Sequence, residues 1–296
     1  MSGLGLVVSR HRRHVIVEAG NGQTRTCHSA SRSIHPLVGD RVQWTAESDT
    51  TGIVAAIEPR STLLTRVDSR GRGQPVAANL TQLVVVIAAE PEVDWLVLDH
   101  YLVAAELARV TPLIVFNKTD IRPPPPDLDT YRSITTVLAT SARENTPQPE
   151  LLAKLAGERS ALVGQSGVGK SSLLNVLCGE ALQPVGELSE KIRQGRHTTT
   201  GSALYRLDNE GELIDSPGVR RYAPFIEHEN QVAGGFPEFH PLTGQCRFAD
   251  CRHMAEPGCA VKAALDGGNI AQRRYDNYCN LHALVAELRA RREAGG

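Results

Sequence analysis

The apolar residues of this chain follow three rhythms, one after another. Short stretches over residues 4–8, 14–18, 24–29, 41–45 and 52–57 read as strands, separated by breaks such as Gly20-Asn21-Gly22 and Val38-Gly39-Asp40. Five short strands in about sixty residues predict a small barrel, an OB-fold. Residues 60–75 are rich in Gly and Arg and read as a connector. From Gln82 the rhythm changes. Residues 82–89 (QLVVVIAA) form one apolar run, as expected of a strand buried on both faces. An amphipathic helix over 93–109 follows, introduced by Pro91 and Asp94. Strands are predicted at 112–116, 133–140, 161–163, 200–207 and 212–214, with a helix at 171–178 and a proline tract at 123–126 that must be a loop. Alternating strands and helices predict an α/β domain with a mainly parallel sheet. Beyond Phe236 comes a Cys- and His-rich stretch and then helix, clearest at 282–293. The expected domains are residues 1–66, 76–235 and 236–296.

Composition changes this picture little. With 41% hydrophobic and 22% charged residues the chain has an ordinary globular make-up. No apolar run approaches the ~20 residues of a membrane span, and the first ten residues turn polar too soon for a secretory signal. A cytoplasmic protein is expected. Net charge is −1, yet residues 1–75 carry ten Arg/Lys against six Asp/Glu and residues 240–296 carry eight against six, so the middle is acidic. Positive flanks suit an RNA-contacting surface, and a merely solvated surface accounts for them equally well.

Two motifs carry the chemistry. Gly164, Gln165, Ser166, Gly167, Val168, Gly169, Lys170 and Ser171 follow a predicted strand and open a predicted helix, the setting of a phosphate-binding loop. Its backbone N–H groups and the helix N-terminus would cradle the β-phosphate. Lys170 would bridge the β- and γ-phosphates, Ser171 would offer its hydroxyl to Mg²⁺, and Ser172 would contact the α-phosphate. Asn117-Lys118-Thr119-Asp120 ends an apolar strand, where doubly wound sheets bind ligands. There Asp120 would accept the N1–H and 2-amino hydrogens of guanine, Asn117 would brace the loop and the Lys118 stem would cover the base. Ser141 and Ala142 sit where a backbone N–H can meet guanine O6; an ordinary turn is the alternative for these two.

Asp215-Ser216-Pro217-Gly218 would sense the γ-phosphate, with Asp215 serving Mg²⁺ and the Gly218 N–H the phosphate. In many GTPases a water-orienting glutamine follows this glycine; here the residue is Val219. Between the phosphate loop and Asp215 lies Arg196-His197-Thr198-Thr199-Thr200, where Thr199 would complete the Mg²⁺ shell. His197 is the local candidate for orienting the attacking water, against a solvated or RNA-facing side chain. The guanine motif precedes the phosphate loop, the reverse of the usual GTPase order. The predicted fold is therefore a circularly permuted P-loop GTPase domain, between an N-terminal barrel and a C-terminal zinc-binding, partly helical domain. For that last domain, Cys246, Cys251, His253 and Cys259 offer three thiolates and one imidazole, a closed tetrahedral set for one structural zinc ion. Cys27, Cys178 and Cys279 read as incidental thiols.

The barrel with Val38-Gly39-Asp40-Arg41-Val42, the permuted core with GQSGVGKSS, RHTTT and DSPG, and the Cys-Cys-His-Cys stretch together resemble the ribosome small subunit-dependent GTPase A family, RsgA. The resemblance covers nearly the whole chain. It implies binding to the small ribosomal subunit and its 16S rRNA during late maturation, GTP hydrolysis stimulated by that subunit, and His197 as the water-orienting residue. The free chain is expected to be monomeric. A second reading is an RNA-binding GTP/GDP switch, on another RNA or on the large subunit, whose hydrolysis is incidental.

Overall fold

The computed structural model describes residues 2–68, 71–143, 148–179, 185, 202–215 and 225–294. The first five strands, β1 (Ser2–Arg10), β2 (Val15–Ala19), β3 (Thr24–Ser29), β4 (Arg41–Ala46) and β5 (Thr51–Ile57), run β1-β2-β3-β5-β4, with β4 returning to β1. The ring has no free edge to protect. Val7, Val17, Cys27, Val42, Trp44 and Val54 fill its interior. A register shift between Val7 and Ser9 bends β1. Its last residues, Ser9 and Arg10, stay paired with Ile16 and Val15 of β2 and on their other side pair with Ala203 and Ser202.

Gly39-Asp40 ties the barrel to the next segment of the chain. Gly39 has φ +93°, and a Cβ there would lie 2.2 Å from the Ala78 carbonyl oxygen, so only glycine fits. The buried Asp40 carboxylate accepts both 2.8 Å bonds of the Arg60 fork and the Leu37 N–H at 2.7 Å. The stretch expected to be a plain connector is instead a hairpin of β6 (Leu63–Val67) and β7 (Gly73–Ala78). Its Gly and Arg residues hide the alternation, and Pro75 sits at a register shift, where a missing N–H is tolerated.

Next come β8 (Gln82–Ala88), α1 (Trp95–Ala108), β9 (Thr111–Asn117), α2 (Asp129–Arg132), β10 (Thr136–Ala139), α3 (Pro149–Leu155), β11 (Arg159–Val163), α4 (Lys170–Cys178), β12 (Ser202–Arg206) and β13 (Glu212–Asp215). Their sheet order is β10-β9-β8-β11-β13-β12, all parallel except β12. β11 therefore lies between the strands that precede it in sequence and those that come after, which is how a permuted chain closes the same sheet. One face packs on α1 through Leu98, Tyr101, Leu102 and Ala105. The other packs on α3 and α4 through Leu151, Leu155, Leu173 and Leu177. Asp94 caps α1 by accepting the Val97 N–H at 3.1 Å.

On α1, burial pushes the His100 imidazole down to about 4 from an ordinary 6.5. As pH falls from about 6.5 toward 4 the unfolded chain takes up a proton that the folded chain refuses. The contribution of neutral His100 is thus complete above the unfolded value and is lost through that window, by at most about 1.4 kcal/mol per pH unit. Urea unfolding of His100→Leu at about pH 7.5 and about pH 5 should show a smaller loss on acidification than the parent; an equal loss would contradict this.

The C-terminal part consists of two 3-10 stretches, Glu229–Gly235 and Pro237–Leu242, then α5 (Ala260–Asp266) and α6 (Gln272–Ala294). Phe236, Phe239, Tyr278, Leu281 and Val285 form its core, and Val103 of α1 joins them. A Cβ on Gly235 would fall 2.4 Å from Val103, so the two parts approach backbone to side chain here. No helix among the described residues is long and apolar enough to cross a membrane.

Candidate nucleotide site and metal centre

Every strand of the parallel set delivers its C-terminal end to one edge of the sheet. β11 ends at Val163 and runs into the phosphate loop; β9 ends on Asn117; β10 leads to Ser141; β13 ends on Asp215. The sequence places these residues far apart, and the sheet brings them together at the edge where open α/β sheets hold ligands.

Asn117 joins the two motifs. Its buried Nδ2 donates to the Val168 carbonyl at 2.9 Å, and its Oδ1 accepts the Ala142 N–H at 3.0 Å. One side chain thus fixes the phosphate loop, the guanine motif and the Ser141–Ala142 turn relative to each other. The approach is so close that a Cβ on Gly169, at φ +93°, would lie 2.3 Å from Asn117 Nδ2. Gly164 is under the same constraint, with φ +137° and the Val86 carbonyl oxygen 2.1 Å from any Cβ.

Lys118, at φ +66°, sends Nζ to the carbonyls of Glu90 at 2.5 Å and Gly167 at 2.6 Å, laying its stem along the loop. Asp120 Oδ1 accepts the Ser141 hydroxyl at 2.6 Å, and Arg143 Nη1 reaches Oδ2 at 3.5 Å. The Ser141 bond is the main reason the Asp120 carboxyl titrates below its usual range. The Ser141 and Arg143 contacts fix the orientation of the Asp120 carboxylate. Thr119 N–H donates to Thr140 O at 3.1 Å, locking the turn.

Lys170 opens α4, and its Nζ donates to the carbonyls of Gly164 at 2.8 Å and Gln165 at 2.5 Å, which holds the ammonium over the loop. Val168 is buried beneath, while Ser166, Ser171 and Ser172 are exposed. His197 and Thr199, with the rest of residues 196–200, lie outside the described residues, as do residues 216–219 with Gly218 and Val219.

In the C-terminal part, one ligand atom each from Cys246, Cys251, His253 and Cys259 lies within 4.8 Å of all the others. His253 Nδ1 is 3.5 Å from Cys246 Sγ and 3.4 Å from Cys259 Sγ. Zinc bonds of about 2.3 Å to sulfur and 2.0–2.1 Å to nitrogen require tetrahedral edges of roughly 3.6–3.8 Å. The donor set and its spacing therefore fit one four-coordinate metal ion with no open position. His253 reaches its place at φ +57°.

Glu256 shapes the loop between the ligands. Its carboxylate accepts the N–H groups of Arg252, Met254 and Ala255 at 2.9–3.1 Å, and these bonds, that of Arg252 first, hold it down to about 2. The Tyr275 hydroxyl donates to the His253 carbonyl at 2.7 Å. Burial pushes the Cys251 thiol up to about 12, so a metal would have to displace its proton.

The profile described as RsgA GTPase matches residues 57–224. The chain belongs to the RsgA GTPase family. A relative from Chromohalobacter salexigens, named small ribosomal subunit biogenesis GTPase RsgA, is 44% identical over 285 residues, covering 93% of this chain and 84% of its own. One of the same name from Dickeya dadantii is 41% identical over 302 residues, covering 97% and 86%. Among solved structures, YjeQ from Thermotoga maritima aligns with a TM-score of 0.76 at 30% identity over 97% of this chain and 99% of its own. YloQ, described as a circularly permuted GTPase, aligns at 0.73 and 25% identity over 97% and 96%. As an RsgA GTPase the chain is a GTP hydrolase, and its sheet is that of the permuted fold.

Sequence reasoning missed the group that joins this RsgA core to its C-terminal part. Arg274 of α6 is 1% exposed and donates to Asp99 of α1 at 2.6 Å, and its fork meets Glu238 at 2.7 and 2.9 Å. Asn277 Nδ2 donates to the other Asp99 oxygen at 2.6 Å. The guanidinium lies 4.6 Å from the Phe236 ring centroid. Burial opposes its charge, but the two carboxylates more than restore it and raise the Arg274 pKa. An Arg three residues into a polar helix start gives no sign in the sequence that it is buried.

Proposed function

We propose that this GTPase acts in biogenesis of the small ribosomal subunit. It binds the subunit and its 16S rRNA, works in late maturation, and hydrolyses GTP to GDP and phosphate with stimulation by the subunit. The observation that carries the reading is the length of the match. Relatives bearing that name cover the barrel, the permuted core and the Cys-His part alike, up to 97% of this chain. Positive charge at both ends of the sequence supports an RNA partner. A ribosomal partner places the protein in the cytoplasm.

The residue roles belong to the same proposal. Backbone N–H groups from Gly164 to Ser172 and the ammonium of Lys170 bind the phosphates, Asp120 selects guanine, and Ser141–Ala142 supplies the N–H for O6. Magnesium, when bound, neutralises phosphate charge; Ser171 in the exposed first turn of α4, Asp215 at the end of β13, and Thr199 would hold it. Gly218 contacts the γ-phosphate. With Val219 in the usual glutamine position, His197 orients the attacking water. Cys246, Cys251, His253 and Cys259 hold zinc as a structural ion. Residues 1–66, 76–235 and 236–296 are proposed as the three domains, with residues 1–66 and 236–296 gripping RNA and the middle domain governing release.

His197→Ala should lower GTP turnover about 10²-fold or more while leaving GTP affinity near the parent value. Unchanged turnover would remove His197 from the mechanism. In pelleting experiments with small subunits, the form carrying a non-hydrolysable GTP analogue should bind more tightly than the GDP form. Equal binding would overturn the grip-and-release reading.

A further inference from the structure

Away from the nucleotide site, and beside the metal loop, lies a cavity of about 200 Å³ lined by His228, Glu229, Asn230, Arg252, His282 and Arg289. The residues come from three separate places: the start of the first 3-10 stretch, the Cys loop, and the middle of α6. Arg252 gives its backbone N–H to Glu256 of the metal loop, but the GTPase chemistry and the four metal ligands leave the lining side chains unassigned.

Their charge is unbalanced toward the positive. Glu229 supplies the single carboxylate of the lining, and Arg289 Nη1 already holds it at 2.9 Å. Arg289 also approaches Glu293 at 3.5 Å. Arg252 is exposed and forms no ion pair among the described residues. Asp250 and Glu256 line the adjoining groove, not this cavity, and Glu256 is taken up by three backbone N–H groups. His282 is only 9% exposed, and its Nε2 has no hydrogen-bond partner. A buried polar atom left so destabilises the fold unless something completes it. Every unused group here is a donor or can become one: the Arg252 fork, His282 Nε2, and the Asn230 amide. That is the donor set of a phosphate site, in which planar guanidinium groups and imidazoles meet tetrahedral oxygens.

We propose that this cavity is a second anion site, built to hold one phosphate group against Arg252 and His282. The phosphate belongs either to an RNA backbone or to a small phosphorylated molecule; the chemistry of recognition is the same. The site goes beyond the ribosomal reading and does not depend on it. Because His228 and Glu229 follow closely on Phe225, whose N–H donates to Thr65 O of the β6–β7 hairpin at 3.1 Å, an occupant would also brace the chain between that hairpin and the first 3-10 stretch.

The test uses the full chain with its metal, loaded with Mg²⁺ and a non-hydrolysable GTP analogue so that the phosphate loop is filled. Binding of inorganic phosphate and of a short single-stranded RNA is measured by calorimetry for the parent, Arg252→Gln, His282→Gln and, as a control outside the cavity, Arg247→Gln. Arg252→Gln and His282→Gln should each weaken phosphate binding about tenfold to a hundredfold, with Arg247→Gln unchanged and metal content equal in all four. If RNA competes with phosphate, the occupant is a backbone phosphate; if it does not, a small phosphorylated molecule. No binding by the parent, or equal weakening in all three variants as general charge attraction would give, overturns the site. Since no ribosomal subunit is present, the result leaves the ribosomal reading to its own test.

Discussion

Asp120→Asn should lower GTP affinity by a factor on the order of 10²–10⁴, the largest effect expected of any single atom change in this chain. The carboxylate would accept two guanine hydrogens, and charge-assisted bonds of this kind contribute roughly 1.5–3 kcal/mol each. Asparagine keeps the shape and can still accept the Ser141 hydroxyl that now sits 2.6 Å from Oδ1, so the turn should survive. What changes is the hydrogen-bond pattern: the amide presents one acceptor and one donor. Xanthine carries an oxygen where guanine carries its 2-amino group and matches that pattern, so the variant should gain affinity for xanthosine triphosphate as it loses GTP. Titration of both nucleotides by calorimetry checks this. Near-equal loss of both would mean that the turn had collapsed, and undiminished GTP binding would remove Asp120 from base recognition.

The second large effect concerns how the core holds its C-terminal part. Arg274→Met should destabilise the protein by about 3–5 kcal/mol, because it strands Asp99, also 1% exposed, without its cation. The double variant Arg274→Met, Asp99→Leu should recover much of that loss, since an apolar pair of similar size removes the uncompensated charge. Glu238 keeps partial solvent contact and can be left in place. Denaturant unfolding of the single and double variants decides the point. A loss under about 1 kcal/mol for the single variant, or no recovery in the double, would mean that the network is not what fastens α1 to α6.

These two sites differ in how far the sequence announces them. The nucleotide site is legible because its chemistry is carried by local runs at strand ends: a glycine pattern before Lys170 and a strand of apolar residues before Asn117. Even the permutation is visible as the order of two motifs. The contact between them is not, since Asn117 reaches Val168 and Ala142 only after the sheet has formed. The four metal ligands are legible as a cluster of residue types that rarely gather otherwise. The early half of α6 is hidden because Arg274 and Asn277 are buried polar residues whose partners lie in α1 and Glu238, so the apolar period breaks where the packing is tightest. The β6–β7 hairpin is hidden by its Gly, Arg and Pro content. The seam between barrel and sheet rests on Ser9 and Arg10 pairing with Ala203 and Ser202, too short a run to leave a pattern. Residues 196–200 and 216–219, with His197, Thr199 and Gly218, lie outside the described residues, so their roles are read from the sequence.

The measurement that bears most directly on the central claim is GTP turnover by the purified protein alone, with small ribosomal subunits, and with large subunits as control. A ribosome-assembly GTPase of this kind should turn over slowly alone and be strongly accelerated by small subunits only. Acceleration by large subunits instead, or by neither, would contradict the proposed partner while leaving the GTPase itself intact.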